Sequence, residues 1–271
     1  MRSNGIMTLP GTAGRFFFRQ LGLITGQLAL LYFSLSRLFK GKLGGRSYIF
    51  REIVMQVYFT GVKALSLISI IGLVMGISII FILNRELSQV GFGTMLGYIL
   101  NLLVIRNLGP LLTGIIIIAR SGTAITAHIG NMTVAHELEA METMGIDTLT
   151  FLIAPRIIGM VLSLLALNIF FDMIAVAGGA AVAKILEPTF VLGNFFFDFL
   201  TSLSFWHILE FIFKSIFFAT GISIICLLNG FKVGNSITNV PVAATKAVVS
   251  SMLYLFFINT LITIIFNLKI S

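Results

Sequence analysis

Residues 64–84 read ALSLISIIGLVMGISIIFILN, a run of 21 residues without a charged side chain. At 1.5 Å per residue, a helix of this length extends about 30 Å, the thickness of the hydrocarbon core of a bilayer. Gly72 and Gly76 form a GxxxG pair within the run, a spacing that lets a second helix approach closely. The run predicts a transmembrane helix with a close helical neighbour.

Four more apolar stretches follow along the chain, at residues 91–119, 157–183, 208–228 and 248–268. Of the 271 residues, 58% are hydrophobic and 10% are charged, whereas about 25% of the residues of a soluble domain are charged. Long uninterrupted runs are typical of helical spans, because the strands of a membrane barrel give alternating segments of ~10 residues. The composition predicts an all-α membrane protein with about five transmembrane helices.

The second of these stretches contains polar residues near its middle. Arg106 and Asn107 are followed closely by Gly109 and Pro110. Dividing the stretch there would leave pieces of about 14 residues, roughly 21 Å long, which are too short to cross a bilayer separately. We therefore expect one long helix that is kinked at Gly109 and Pro110.

The basic residues crowd into an N-terminal region, residues 1–63, ahead of a transmembrane domain at residues 64–271. Nine of the 18 Lys and Arg residues lie in this region, and positive charge favours the cytoplasmic side of a membrane. The net charge of +8 is thus a topology signal rather than a sign of nucleic-acid binding, and the N-terminus is expected in the cytoplasm. The sequence predicts an interfacial helix at residues 20–36, with a sixth span as the alternative. It predicts another interfacial helix at residues 190–203.

The longest polar segment, residues 120–156, follows the kinked helix. Within it, residues 131–147 are predicted to hold one short cytoplasmic helix, capped by Asn131 or Thr133 and ended by Gly145. An apolar stripe runs along it, formed by Val134, Leu138, Met141 and Gly145. Docking on a soluble partner and ordinary packing on its own bundle both fit this pattern.

Residues 109–156 read GPLLTGIIIIARSGTAITAHIGNMTVAHELEAMETMGIDTLTFLIAPR. This run resembles the signature region of the MlaE-like, or YrbE-like, permeases of MCE-associated lipid ABC transporters. The resemblance implies a homodimeric permease that moves phospholipids between membranes and contributes to lipid asymmetry. It also implies two ATPase subunits, which bind the ATP and Mg²⁺, and an MCE-domain lipid-binding protein. No cofactor is expected in this chain, which is not expected to be an enzyme.

The same resemblance gives the short helix the role of a coupling helix that contacts the ATPase. The residues carried over to that role are Val134, Glu137, Leu138, Met141, Glu142 and Met144. The implied location is the inner (plasma) membrane of a bacterium or the inner envelope of a plastid.

One position departs from the family pattern, which usually has Glu where this chain has Asn107. Without that carboxylate, Arg106 is predicted to lack an acidic partner, and an unpaired guanidinium inside the membrane costs ~2.5 kcal/mol or more. Arg106 is therefore a candidate for a lipid headgroup, with structural pairing or a snorkelled position as alternatives. Arg106, Asn107 and Gly76 form the predicted lipid-binding set.

Asp172 is an acid within the third apolar stretch, and we expect it to pair with a basic group at the dimer interface or to act in transport. Lys214 is expected to snorkel toward the headgroups. No metal site is predicted, because the sequence from His136 to Ala140 lacks the second histidine of HExxH. An ion-coupled secondary transporter of an amphipathic substrate is the alternative function, and a lipid-modifying enzyme is a weaker one.

Overall fold

The computed structural model describes residues 46–90, 96–146, 148–186 and 191–270, which form helices, turns and short connections. The α-helices are α1 (Arg46–Thr60), α2 (Leu65–Val90), α3 (Leu96–Leu100), α4 (Gly109–Ile117), α5 (Thr123–Val134), α6 (Glu137–Thr143), α7 (Ala154–Leu186), α8 (Leu192–Thr201), α9 (Phe205–Phe231) and α10 (Asn239–Ile270). A 3-10 turn joins α1 to α2, and π-helical segments occupy Asn101–Leu108, Ile118–Gly122 and Leu149–Ile153. The interfacial helix predicted for residues 20–36 lies outside the described residues.

Five helical stretches of the described chain are long and apolar enough to cross a membrane. These spans, named first to fifth in chain order, are Tyr48–Leu83, Gly97–Val134, Phe151–Ile185, Phe205–Phe231 and Asn239–Leu268. Over the described residues, the prediction of an all-α protein with five spans is confirmed, and the sixth span weighed at residues 20–36 lies outside them. The predicted single helix over the second stretch is also confirmed, because α3, α4, α5 and the two π-helical segments between them form one continuous rod.

The ends of several elements differ from the predictions. The helix of the first span does not end with the uncharged run at residue 84 but continues to Val90. At the other end, α1 and one 3-10 turn extend the first span upstream of residue 63. The polar segment is also shorter than predicted, because the second span continues to Val134. A charged side chain alone does not end a helix. A helix ends where its terminal backbone groups find other hydrogen-bond partners.

The first and third spans pack closely against each other. A Cβ atom on Gly76 would overlap the backbone of Ala175, and one on Gly72 would lie 3.3 Å from the carbonyl oxygen of Phe171. The GxxxG pair therefore works as predicted, since small residues let two backbones meet. Gly76 was also predicted to contact lipid, whereas within this chain it is buried against Ala175.

The chain order gives the bundle two ends. The connector end carries α6, between the second and third spans. The opposite, far end carries α8, between the third and fourth spans. There, Gly97 of the second span lies against the backbone of α8, and Asn101 Nδ2 donates to Ser202 Oγ at 2.9 Å. The short helix predicted within residues 190–203 is thus present, and it packs on the start of the second span.

Candidate functional site

The connector helix, α6 (Glu137–Thr143), is a separate short helix at the connector end. His136 precedes it with φ = 56°, in the left-handed region, so the chain changes direction between the second span and this helix. At the other end Gly145 has φ = 76°. The amides of Gly145 and Ile146 donate to the carbonyls of Glu142 and Met141, at 2.9 and 3.0 Å. This is the glycine-terminated geometry predicted for residue 145.

The predicted start of this helix is wrong. Thr133 Oγ1 does not cap it but donates to the carbonyls of Ile129 and Gly230, at 2.9 and 3.4 Å. Asn131 and Val134 likewise belong to α5. Val134 therefore lies at the end of the second span rather than within the connector helix.

All seven residues of the connector helix are described, and none is buried. Leu138 and Met141 are half-buried, while Glu137 and Glu142 are exposed. Met144, directly after the helix, is 75% exposed. The helix therefore presents three carboxylates, those of Glu137, Glu139 and Glu142, to its surroundings, with the apolar side chain of Met144 directly after it.

A charge cluster lies toward the far end and joins three spans. Arg106 Nε donates to Glu210 Oε2 at 2.9 Å, and Arg106 Nη2 donates to Asn267 Oδ1 at 2.7 Å. Lys214 Nζ lies 2.8 Å from Glu210 Oε1 and forms an ion pair with it. Glu210 and Lys214 are fully buried and Arg106 is 7% exposed.

Pro110, where the kink was predicted, explains one further contact of this cluster. In a regular α-helix the N–H of residue 110 would donate to the carbonyl of residue 106, but proline has no N–H. Lys214 Nζ donates to the Arg106 carbonyl instead. Lys214 also donates to Asn107 Oδ1 at 3.3 Å, so the backbone just before Pro110 and the charge cluster form one unit.

The structure corrects two predictions here. Arg106 does have an acidic partner, Glu210, so its structural alternative is confirmed and its headgroup role loses its basis. Lys214 does not snorkel but is buried beside the same carboxylate. The sequence carried a signal for Glu210, because it lies four residues before Lys214 and therefore on the same face of an apolar helix.

Asp172 lies on the third span and is 8% exposed. Its Oδ1 is buried with no hydrogen-bond partner among the described residues, and a Cβ atom on Gly109 would overlap it. Asp172 lines a cavity of about 590 Å³ at the far end, together with apolar residues that include Val176, Phe199 and Phe211. The basic partner predicted for Asp172 at a dimer interface stays a prediction.

A bundle of five apolar spans, with an exposed helix at one end and an apolar cavity toward the other, fits the membrane-spanning subunit of a transporter. The Permease MlaE family model matches residues 53–265. The chain belongs to the MlaE permease family.

Named relatives agree with this assignment. The chain is 31% identical to the intermembrane phospholipid transport system permease protein MlaE of Haemophilus influenzae, over 80% of this chain and 83% of that protein. It is 31% identical to a probable ABC transporter permease protein of Synechocystis, over 77% and 79% of the two chains. It is 27% identical to the chloroplastic protein TRIGALACTOSYLDIACYLGLYCEROL 1 of Arabidopsis thaliana, over 86% of this chain and 63% of that protein.

Proposed function

We propose that this chain is the permease subunit of an ABC transporter that moves phospholipids between membranes. Two copies would form the permease, two ATPase subunits would bind the ATP and Mg²⁺, and an MCE-domain protein would exchange lipid with it. The family supports this proposal, as does the name of the Haemophilus relative, an intermembrane phospholipid transport protein.

The connector helix is the observation that carries the proposal. A helix of seven residues is too short to be stable by itself in water, and this one buries none of its residues within its own chain. Its exposed carboxylates and Met144 therefore suit a partner surface with basic and apolar groups. In our proposal that partner is the ATPase. When the two ATPase subunits close, they would push on α6 and so move the second and third spans, which α6 connects.

The far-end cavity supports a lipid as the substrate. Its volume of about 590 Å³ lies in the range of known ligand pockets. Its lining is almost wholly apolar, which favours acyl chains over a soluble, polar solute. We assign no lipid-binding role to the charge cluster, because Arg106, Glu210 and Lys214 bind one another.

The exposed faces of two spans support a homodimer. In their most apolar stretches, 22% of the first span and 28% of the fifth are buried, against 72% of the fourth. A second copy could cover part of these faces, with lipid covering the rest. With the N-terminus in the cytoplasm, the connector helix lies on the same side as the ATPase, in a bacterial plasma membrane or a plastid inner envelope.

Affinity co-purification in mild detergent tests the proposal. The wild-type chain is compared with a Met141→Asp, Glu142→Lys double variant, and bound proteins and lipids are identified by mass spectrometry. We expect an ATPase with the wild type and its loss from the variant, while phospholipid stays bound to both. The matched control is Val191→Asp, Asp198→Lys, which makes the same kinds of change on exposed or half-exposed positions at the far end and should retain the ATPase.

One observation favours a second function, an ion-coupled secondary transporter. Asp172 is a buried carboxyl whose Oδ1 has no hydrogen-bond partner among the described residues, and an acid within a span is a candidate site for a transported ion. If no ATPase accompanies any variant although the protein is intact and lipid-loaded, the ABC assignment fails and Asp172 becomes the centre of such a carrier.

A further inference from the structure

A second pocket, of about 520 Å³, lies between α1, the second span and the start of α7. Unlike the far-end cavity, it is lined by several polar and charged side chains. Its charged residues are Glu52, Lys63, Arg120 and Arg156. None of the functions proposed above uses these residues.

Arg156 is the most deeply buried of them, with 6% of the residue exposed. Its Nη2 lies 3.1 Å from His128 Nδ1, but its Nη1 is buried without a hydrogen-bond partner among the described residues. A guanidinium has donors only, and a buried donor without an acceptor is costly. The described residues therefore leave a buried N–H group of Arg156 without an acceptor.

Most other polar groups around the pocket are donors as well. The Nδ1 atom of His128 accepts from Arg156, so Nε2 carries the ring proton and can donate. Arg120 uses Nη1 on the carbonyl of Phe59 at 3.0 Å, which leaves the rest of its guanidinium available. Lys63 is exposed, 4.3 Å from the ring centre of Phe59. Three cations and one carboxylate, that of Glu52, give the lining a net charge of +2.

The charge pattern of the spans indicates that the pocket lies near the boundary of the hydrocarbon core, where lipid phosphates lie. Lys63 immediately precedes the uncharged residues 64–84, and Arg156 immediately precedes the uncharged residues 157–171. Since such runs occupy the hydrocarbon core, the two cations mark its boundary. Met55 and Phe59 also line the pocket and are 42% and 48% exposed, so apolar surface lies beside the cations.

We propose that this pocket binds the phosphate group of a membrane phospholipid, with Arg156, Arg120 and Lys63 as its cationic partners. Phosphate oxygens would supply the acceptor that Arg156 lacks and balance the positive lining. A soluble phosphate compound offers the same group, but the depth of the site and its apolar flank favour a lipid. The proposal rests on the chain lying in a bilayer, not on its coupling to an ATPase.

Binding of two lipids with the same acyl chains tests the proposal. The purified, delipidated full-length chain is titrated with dioleoyl phosphatidate or with dioleoylglycerol, which lacks the phosphate, and bound lipid is counted by native mass spectrometry. We expect the wild type to prefer phosphatidate. In a Lys63→Gln, Arg120→Gln double variant, that preference should fall by about tenfold or more, because charge-assisted hydrogen bonds are lost. An Arg156→Gln variant should show the same loss.

The matched control is Lys232→Gln, Lys246→Gln, which removes two exposed cations from the connector end without touching the pocket. It should keep the preference for phosphatidate. An equal preference in the control and in the Lys63, Arg120 variant would overturn the proposal. If inorganic phosphate raises the thermal stability of the wild type, but the wild type shows no preference for phosphatidate, the bound phosphate does not come from a lipid and that part of the proposal is overturned. The pocket variants should still co-purify with the ATPase, so that a failure of this proposal can be told apart from a failure of the proposed function.

Discussion

At the scale of single residues, Glu210 is the centre of the charge cluster. Its two carboxylate oxygens face Arg106 and Lys214, both of which are buried. We predict that Glu210→Ala lowers the free energy of unfolding by about 3 kcal/mol or more, because two cations then remain buried without an acid. Thermal unfolding in detergent measures this.

Asp198→Ala is the control for that substitution, since Asp198 is a half-buried acid on α8 with no ion pair to a described residue. A loss of stability in Asp198→Ala as large as that in Glu210→Ala would contradict the structural role of the cluster.

The same cluster shows where prediction from residues alone stops. Arg106 was expected to be unpaired because the residue beside it, Asn107, is not an acid. The acid that pairs with it lies 104 residues along the chain, and a partner at that distance is set by helix packing rather than by local pattern. The carbonyl freed by Pro110 and bound by Lys214 depends on the same packing.

At the scale of elements, the close contact between the first and third spans depends on Gly76. We predict that Gly76→Val reduces the yield of folded protein and its thermal stability, because the added side chain would overlap the backbone of Ala175 and overpacking costs about 1–3 kcal/mol. Gly193→Val is the control, since a Cβ atom there meets nothing within 4 Å. Equal stability of the two variants would mean that the two spans do not pack this closely.

The spans themselves were predictable from sequence because a bilayer requires a nearly fixed length of apolar helix. Their ends were not, since helices continue past the hydrocarbon wherever no residue stops them. Gly145 was recognised as a helix end because its left-handed conformation is a local property. Thr133 was misjudged because a threonine can cap a helix or donate to a carbonyl within one, and here its second acceptor, the Gly230 carbonyl, belongs to another span.

At the scale of the whole molecule, the first and fifth spans expose the apolar faces that we assign to dimerisation. We predict two chains per particle by light scattering in detergent, and a shift toward one chain for Leu253→Lys on the fifth span. Leu162→Lys on the third span is the control, because the two leucines are similarly exposed, at 53% and 49%. Dissociation in both variants, or in neither, would remove the fifth span from the proposed interface.

The central claim is that movement at the connector helix links ATP hydrolysis to movement of phospholipid. The most direct measurement is the transfer of a fluorescent phospholipid in liposomes that contain this chain and the ATPase that co-purifies with it. Transfer should require ATP, be lost in the Met141→Asp, Glu142→Lys variant and persist in Val191→Asp, Asp198→Lys. Transfer by the chain alone, driven by an ion gradient and unaffected by the connector-helix variant, would contradict the account.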